Sequence, residues 1–168
     1  MSHEPSQEQS VSELDLRGKR VTVVGLARSG FAACKVLAER GAAVLATDRN
    51  PAEQVRVDLA ELARRGVRLE IGGHTPESFL ETDLLVISPG VDLGFPLLAQ
   101  AIARGIPAWS EVELAYRLTP ARFLAVTGTN GKSTTTSLLG AMVEAAGFSC
   151  AVAGNIGTAL CEVVPTLT

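Results

Sequence analysis

An α/β fold built on a parallel sheet, with a second α/β unit beginning near residue 120, is predicted on three observations. Short β-branched runs alternate with stretches of helical apolar spacing, the pattern of repeated strand–helix–strand units. Two glycine-bearing turns, GLARSG at 25–30 and GTNGKS at 128–133, each stand between such a run and a helical stretch. The rhythm breaks at Thr119-Pro120 and then restarts. Hydrophobic residues make up 46% of the 168 and charged residues 20%, the balance of a core-forming chain. Aromatics are only 4%, so Ala, Val and Leu must build the core.

Taken in order, 20–25 (RVTVVG) reads as a first strand, apolar on both faces and so suited to a sheet covered on both sides. Helical spacing over 29–40 is stopped by Gly41. Residues 42–48 (AAVLATD) form a second strand ending on Asp48. A helix over 52–65, a third strand at 67–71 and a fourth at 84–87 follow, the last leading into Ser88-Pro89-Gly90. A helix over 95–104, an edge strand at 106–109 and a helix over 110–118 complete a Rossmann-like unit at 17–119, behind a flexible arm at 1–16. Thr119-Pro120 breaks the last helix. Beyond it, 122–127 (RFLAVT) reads as a buried strand, 133–146 as a helix ended by Gly147, 149–153 as a strand and GNIG (154–157) as a turn. Two strands cannot be covered on both faces by so short a segment, and forty-odd residues rarely fold alone. Residues 120–168 are therefore expected to be the beginning of a truncated domain that leans on the first or on a partner chain, in the N-terminal portion of a longer protein.

Charge narrows the function classes. The net charge is −3 and the 15 Lys and Arg are spread thinly, so no basic stripe offers itself to nucleic acid. Cys34, Cys150 and Cys161 make no disulfide framework and read as small buried hydrophobes. The polar, acidic N-terminus lacks the apolar stretch of a signal peptide, and no apolar run approaches the ~20 residues of a membrane span. A cytoplasmic protein is expected, with no membrane partner and no obligatory protein partner.

The chemistry sits in the two turns. In TGTNGKST (127–134) a strand running through a glycine turn into a helix aims backbone N–H groups and the helix's positive end at one point. Lys132 adds a mobile charge suited to β- and γ-phosphates, and the Ser133 hydroxyl is placed to ligate Mg²⁺. Val126 stands where the strict phosphate-loop pattern has glycine. Thr134, Thr135 and Thr136 are unfavourable inside a helix, which also marks a helix start that serves a site. In GLARSG, diphosphate would lie at the helix start, with Asp48 reaching the ribose or base. Ala27 replaces the middle glycine, and Arg28 offers a fork to phosphate. A tight turn needing its glycines only for packing accounts for this motif equally well. Ser88-Pro89-Gly90 lies at the same sheet edge, where plain turn chemistry is the simpler reading. Asn155, flanked by glycines, is either a turn residue or a side chain directed into the cleft beside the lysine loop. His74 reads as a surface-loop residue, and Glu111 and Glu113 as helix-start acids without a catalytic role.

The order of parts, a Rossmann-like unit, then TGTNGKSTTT, then GNIG, resembles the Mur ligases of bacterial peptidoglycan synthesis over roughly 17–164. Within that family the resemblance is to the branch that adds D-glutamate. The alanine-adding branch typically has His where this chain has Asn130, and the diaminopimelate- or lysine-adding enzymes lack this kind of domain ahead of the loop. The resemblance implies an ATP- and Mg²⁺-dependent ligase joining D-glutamate to UDP-N-acetylmuramoyl-L-alanine through an acyl phosphate. It places diphosphate on Ala27, Arg28, Ser29 and Gly30, and uracil and ribose near Asp48 and Arg49. Ser88 and Gly90 would line the same pocket, and Asn155 would meet the muramoyl end. ATP would lie on Gly128, Thr129, Asn130, Gly131, Lys132, Ser133 and Thr134, with Lys132 as the catalytic group and Ser133 as the metal ligand. The segment stops before the family's acidic Mg²⁺ ligand, so the piece alone is expected to be inactive. A nicotinamide-dependent oxidoreductase or nucleotide-binding module would explain the first turn but leaves Lys132-Ser133 unused. A generic P-loop ATPase would need an acidic strand end that does not follow, and a scaffolding piece would need neither cradle.

Overall fold

The computed structural model describes residues 14–155 and 157–167. Most of the expected arm lies outside them, but Leu16 at its end is buried in the core. Five strands form one parallel sheet: β1 (Arg20–Val24), β2 (Ala43–Asp48), β3 (Arg68–Ile71), β4 (Leu84–Ile87) and β5 (Ala108–Ser110), in the order β3-β2-β1-β4-β5. The order reverses between β1 and β4, where Val24 stands beside Thr47 on one side and Ile87 on the other. Such a switch point opens a crevice at the carboxyl edge of the sheet.

Seven α-helices accompany the strands among the described residues: α1 (Arg28–Glu39), α2 (Leu59–Arg64), α3 (Pro76–Leu80), α4 (Pro96–Ala103), α5 (Glu111–Arg117), α6 (Lys132–Ala145) and α7 (Leu160–Val163). Strand alternation sorts the core into two layers. Val21, Val23, Val44, Ala46, Leu84 and Val86 pack with Ala33, Leu37 and Leu114 of α1 and α5. Val24, Leu85 and Ile87 face the other way onto Phe79 of α3 and Leu98 and Ala101 of α4. Each large side chain fully buried here contributes roughly 1.5–3 kcal/mol of transfer free energy.

Caps explain where the helices depart from their expected bounds. The expected helix over 52–65 is divided: a 3₁₀ turn at Ala52–Gln54 is separated from α2, because Asp58 turns its carboxylate onto the Glu61 N–H at 2.9 Å and starts a helix there. Ser110 caps α5 through the Glu113 N–H. Helix α3, with Pro76 in its first turn, was not foreseen.

Residues 120–167 differ most from expectation. The strands expected at 122–127 and 149–153 are not formed, and α6 is the only long element there among the described residues. A parallel strand gains its stability from a neighbouring ladder, and the sheet ends at β5 without pairing to either segment. Val152 instead lies against α6, where a Cβ on Gly140 would meet its Cγ2 at 2.4 Å. Leu124, Leu138, Met142 and Phe148 are exposed. The chain's end, by contrast, joins the first unit. Ala159, Cys161 and Val164 enter the core beside α1 and α5, and the buried Glu111 carboxylate accepts the Cys161 N–H at 2.6 Å. Cys34 and Cys161 are buried thiols whose pKa values burial raises, Cys34 to about 12, while Cys150 is half-buried.

Candidate nucleotide site

The turn from β1 to α1 is held from three sides. Gly25 takes a positive φ of 88° and donates its N–H to the Thr47 carbonyl at 2.8 Å. The next N–H, on Leu26, donates to Asp48 Oδ2 at 2.6 Å, while Asp48 Oδ1 accepts from Asn50 N at 2.8 Å. From β4, Ser88 Oγ donates to the Gly25 carbonyl at 2.7 Å. A Cβ on Gly30 would stand 2.0 Å from that same carbonyl, so α1 can approach the turn only through a residue without a side chain. Gly30 is buried and is there for packing, one of the two readings its motif left open.

This bracing leaves the first N–H groups of α1 at the crevice with no side-chain cap and no acid in the first turn. Ala27 and Arg28 are exposed, Ser29 is half-buried, and Arg49 is exposed next to the buried Asp48. Ser88 is buried and Gly90 exposed on the neighbouring loop. A free helix start flanked by two arginines is suited to an anion. Asp48 is less free than the spacing suggested: each of its oxygens already serves a backbone N–H, so its first task is to fix the turn.

Sequence reasoning missed the group behind Asp48. Thr47, buried on the opposite face of β2, meets Glu70 of β3 and His74 of the following loop. Glu70 accepts from Thr47 Oγ1 at 2.6 Å, Ser78 Oγ at 2.7 Å, and both the N–H and Oγ1 of Thr75. Burial pushes its pKa up, but these hydrogen bonds outweigh burial and hold it below the usual carboxylate value. His74 is not the plain surface-loop residue expected. Its ring is half-buried, with centroids 5.5 Å from Phe79 and 5.3 Å from Phe95, both edge-on. No sequence signal joins Thr47 to Glu70 and His74, which lie 23 and 27 positions further along the chain.

A pH dependence follows for Glu70. Its pKa is lowered on folding, so its contribution is complete above the unfolded carboxylate pKa and is lost as pH falls through the lower folded value. Glu70→Gln is expected to shrink the acid-side fall of Tm between about pH 5 and pH 3. An unchanged Tm–pH profile in that variant would show that the carboxylate is not held as described.

The second turn carries Gly128 at φ 150° and Gly131 at φ 74°, the latter as the left-handed N-cap of α6. Its helix start also lacks a side-chain cap. Lys132 Nζ folds back onto the carbonyls of Gly128 at 2.5 Å and Thr129 at 3.2 Å. Thr129, Asn130, Ser133 and Thr134 are exposed around it, and Asn155 is exposed in its own turn. No hydrogen bond among the described residues joins this loop or Asn155 to the first turn. The structure thus assembles the first cradle and leaves the second as a loop and helix without the strand expected before it.

Parallel order with one reversal, a braced glycine turn and an open helix start define a doubly wound α/β sheet with a crevice at its carboxyl edge. Residues 19–110 match the family described as "Mur ligase MurD-like, N-terminal domain", and the chain belongs to that family. It is 45% identical over 145 residues to the UDP-N-acetylmuramoylalanine--D-glutamate ligase of Koribacter versatilis, covering 86% of this chain and 32% of that one. It is 47% identical over 144 residues to the enzyme of the same name from Acidobacterium capsulatum, covering 86% and 31%. The chain thus spans about a third of the length of these curated relatives. Among solved structures, a murein peptide ligase from Psychrobacter arcticus superposes with a TM-score of 0.54 at 22% identity, over 77% of this chain and 27% of that one, a likeness of fold.

Proposed function

We infer that residues 17–119 bind the uridine diphosphate end of UDP-N-acetylmuramoyl-L-alanine, as the first part of an ATP-dependent ligase that adds D-glutamate to it. The observation that carries this reading is the open start of α1, beside Arg28 and braced by Asp48 and Ser88, in a chain of the MurD-like family. Diphosphate would accept hydrogen bonds from the free N–H groups at 27–30, with Arg28 and Arg49 neutralising its charge. Ser88 and Gly90 would border the pocket, and Asn155 would approach the muramoyl end.

In the whole ligase, the alanyl carboxylate oxygen bonds to the γ-phosphorus of ATP as the bond to ADP breaks. The amine of D-glutamate then attacks the acyl carbon of this acyl phosphate, a mixed anhydride; a proton leaves the nitrogen, the acyl C–O bond breaks and phosphate departs. Two anions must meet in the first step, so cationic groups and helix ends have to offset their repulsion. The uncapped start of α6 and the left-handed Gly131 fit a phosphate, with Gly128–Thr134 as the cradle. Lys132 would turn from its own loop carbonyls to the phosphates, and the exposed Ser133 hydroxyl would face Mg²⁺.

Calorimetric titration with UDP-N-acetylmuramoyl-L-alanine, beside NADH and ATP–Mg²⁺, tests the reading. Saturable binding of the sugar nucleotide with none of NADH is the expected result. Binding of NADH alone would overturn it in favour of an oxidoreductase-type site.

A further inference from the structure

Around Thr47, the hydroxyl proton has three acceptors within reach: Glu70 Oε2 at 2.6 Å, His74 Nδ1 at 2.7 Å and the Gly73 carbonyl at 3.3 Å. Glu70 is ionised, accepts only, and is the nearest, so it takes the proton. The Thr47 oxygen is then left to accept, and His74 must be the donor through Nδ1–H. Burial lowers the pKa of His74 below its usual value against the raising pull of Glu70 and Asp48, so the ring is neutral near pH 7. A neutral ring protonated on Nδ1 carries a bare acceptor at Nε2.

That acceptor has no hydrogen-bond partner among the described residues, and it is not a buried atom. Its direction is set by the Thr47 bond and by the edges of Phe79 and Phe95, so the ring cannot swing freely. The place is also informative. His74 lies on the loop after β3, Asp48 and Arg49 at the end of β2, and Phe95 on the loop after β4, all at the carboxyl edge. Thr47, which holds the ring at 2.7 Å, immediately precedes Asp48, so the imidazole sits at the end of β2 beside the crevice. In a doubly wound sheet the base of a nucleotide lies on the β2 side of the diphosphate.

We propose that His74 is a specificity-determining residue of this crevice: Nε2 accepts a hydrogen bond from the N3–H of the ligand's pyrimidine, selecting uracil over cytosine, whose N3 is bare. The proposal rests on the uridine reading above and deepens it. Two variants separate it from a merely structural role. In His74→Gln the amide oxygen stands near the former Nε2, so the acceptor is kept while the Thr47 bond is lost. In His74→Asn the amide can still donate to Thr47, but no acceptor reaches the Nε2 position.

The measurement is calorimetric titration of the chain and both variants with UDP and with CDP. The native protein is expected to prefer UDP by about tenfold, the worth of one hydrogen bond gained against one acceptor left facing another. His74→Gln retains that preference and His74→Asn loses it. The ratio of two affinities is unaffected by a fraction of unfolded protein, so a weakened variant still gives an answer. The preference should also decline on acidification, because the ring takes its second proton at Nε2 and turns the acceptor into a donor. Glu70, Asp48 and Arg49 are the charged groups facing it, and the decline is expected below pH 6.5. An undiminished preference in His74→Asn, or equal native binding of UDP and CDP, would overturn the inference and leave the uridine reading standing. Native binding of neither nucleotide would remove both.

Discussion

Gly30→Ala should lower Tm by roughly 5–10 °C and remove nucleotide binding in the same variant. Its cause is local and steric. The added Cβ would stand 2.0 Å from the Gly25 carbonyl oxygen and 2.7 Å from Ser88 Oγ. Neither can retreat cheaply, since the Gly25 N–H is held by the Thr47 carbonyl and Ser88 is a buried residue whose hydroxyl donates to the Gly25 carbonyl. Overpacking of this kind costs about 1–3 kcal/mol or more, and at this chain length each kcal/mol moves Tm by roughly 2–4 °C. Relief requires α1 to move away from the turn, which displaces the N–H groups that would meet diphosphate. A thermal melt and a UDP titration check both halves. A native Tm in Gly30→Ala would show that α1 does not press on the turn as the structure has it. Gly90→Ala is the control for the melt, because no atom lies within 4 Å of its added Cβ.

What was legible in the sequence follows from how local each signal was. Strands β1, β2 and β4 were legible because their residues are apolar on both faces, a pattern that needs no knowledge of neighbours. The glycine turn and Asp48 stand at fixed offsets from those strands, so their meeting could be foreseen from spacing, although the service each Asp48 oxygen gives to a backbone N–H could not. The same reasoning failed at 122–127 and 149–153. Both runs have strand composition, but a ladder depends on a partner, and composition is silent about that. His74 was misread for a related reason: its glycine-rich loop reads as exposed, while Thr47, Phe79 and Phe95, which define its surroundings, come from three other parts of the chain. Glu111 was read as a helix-start acid, and its bond to the Cys161 N–H, fifty positions away, has no sequence signal.

Asp48→Ala is expected to weaken UDP-sugar binding by removing a brace of the turn, where Gly30→Ala crowds it. Two explanations of Asp48 make different forecasts. If its carboxylate served mainly to accept from ribose or base, removing it would cost affinity and leave stability alone. The geometry favours the other course. Oδ2 takes the N–H of Leu26, a buried residue, and Oδ1 that of Asn50, so alanine leaves the Leu26 donor without a partner in a place water does not readily reach. An orphaned buried donor costs about 1–3 kcal/mol, and here the loss falls on the turn that positions the start of α1. Stability and affinity should therefore fall together, with UDP-sugar binding at least about tenfold weaker and Tm lower by several degrees. Asp48→Asn separates the contributions further. Its amide oxygen can serve Leu26, but its NH₂ then faces the Asn50 N–H, donor against donor, so an intermediate loss of Tm is expected. A variant that loses affinity at full native Tm would return Asp48 to the role of a direct ligand contact. Loss of both would identify it as the residue through which the end of β2 dictates the shape of the crevice.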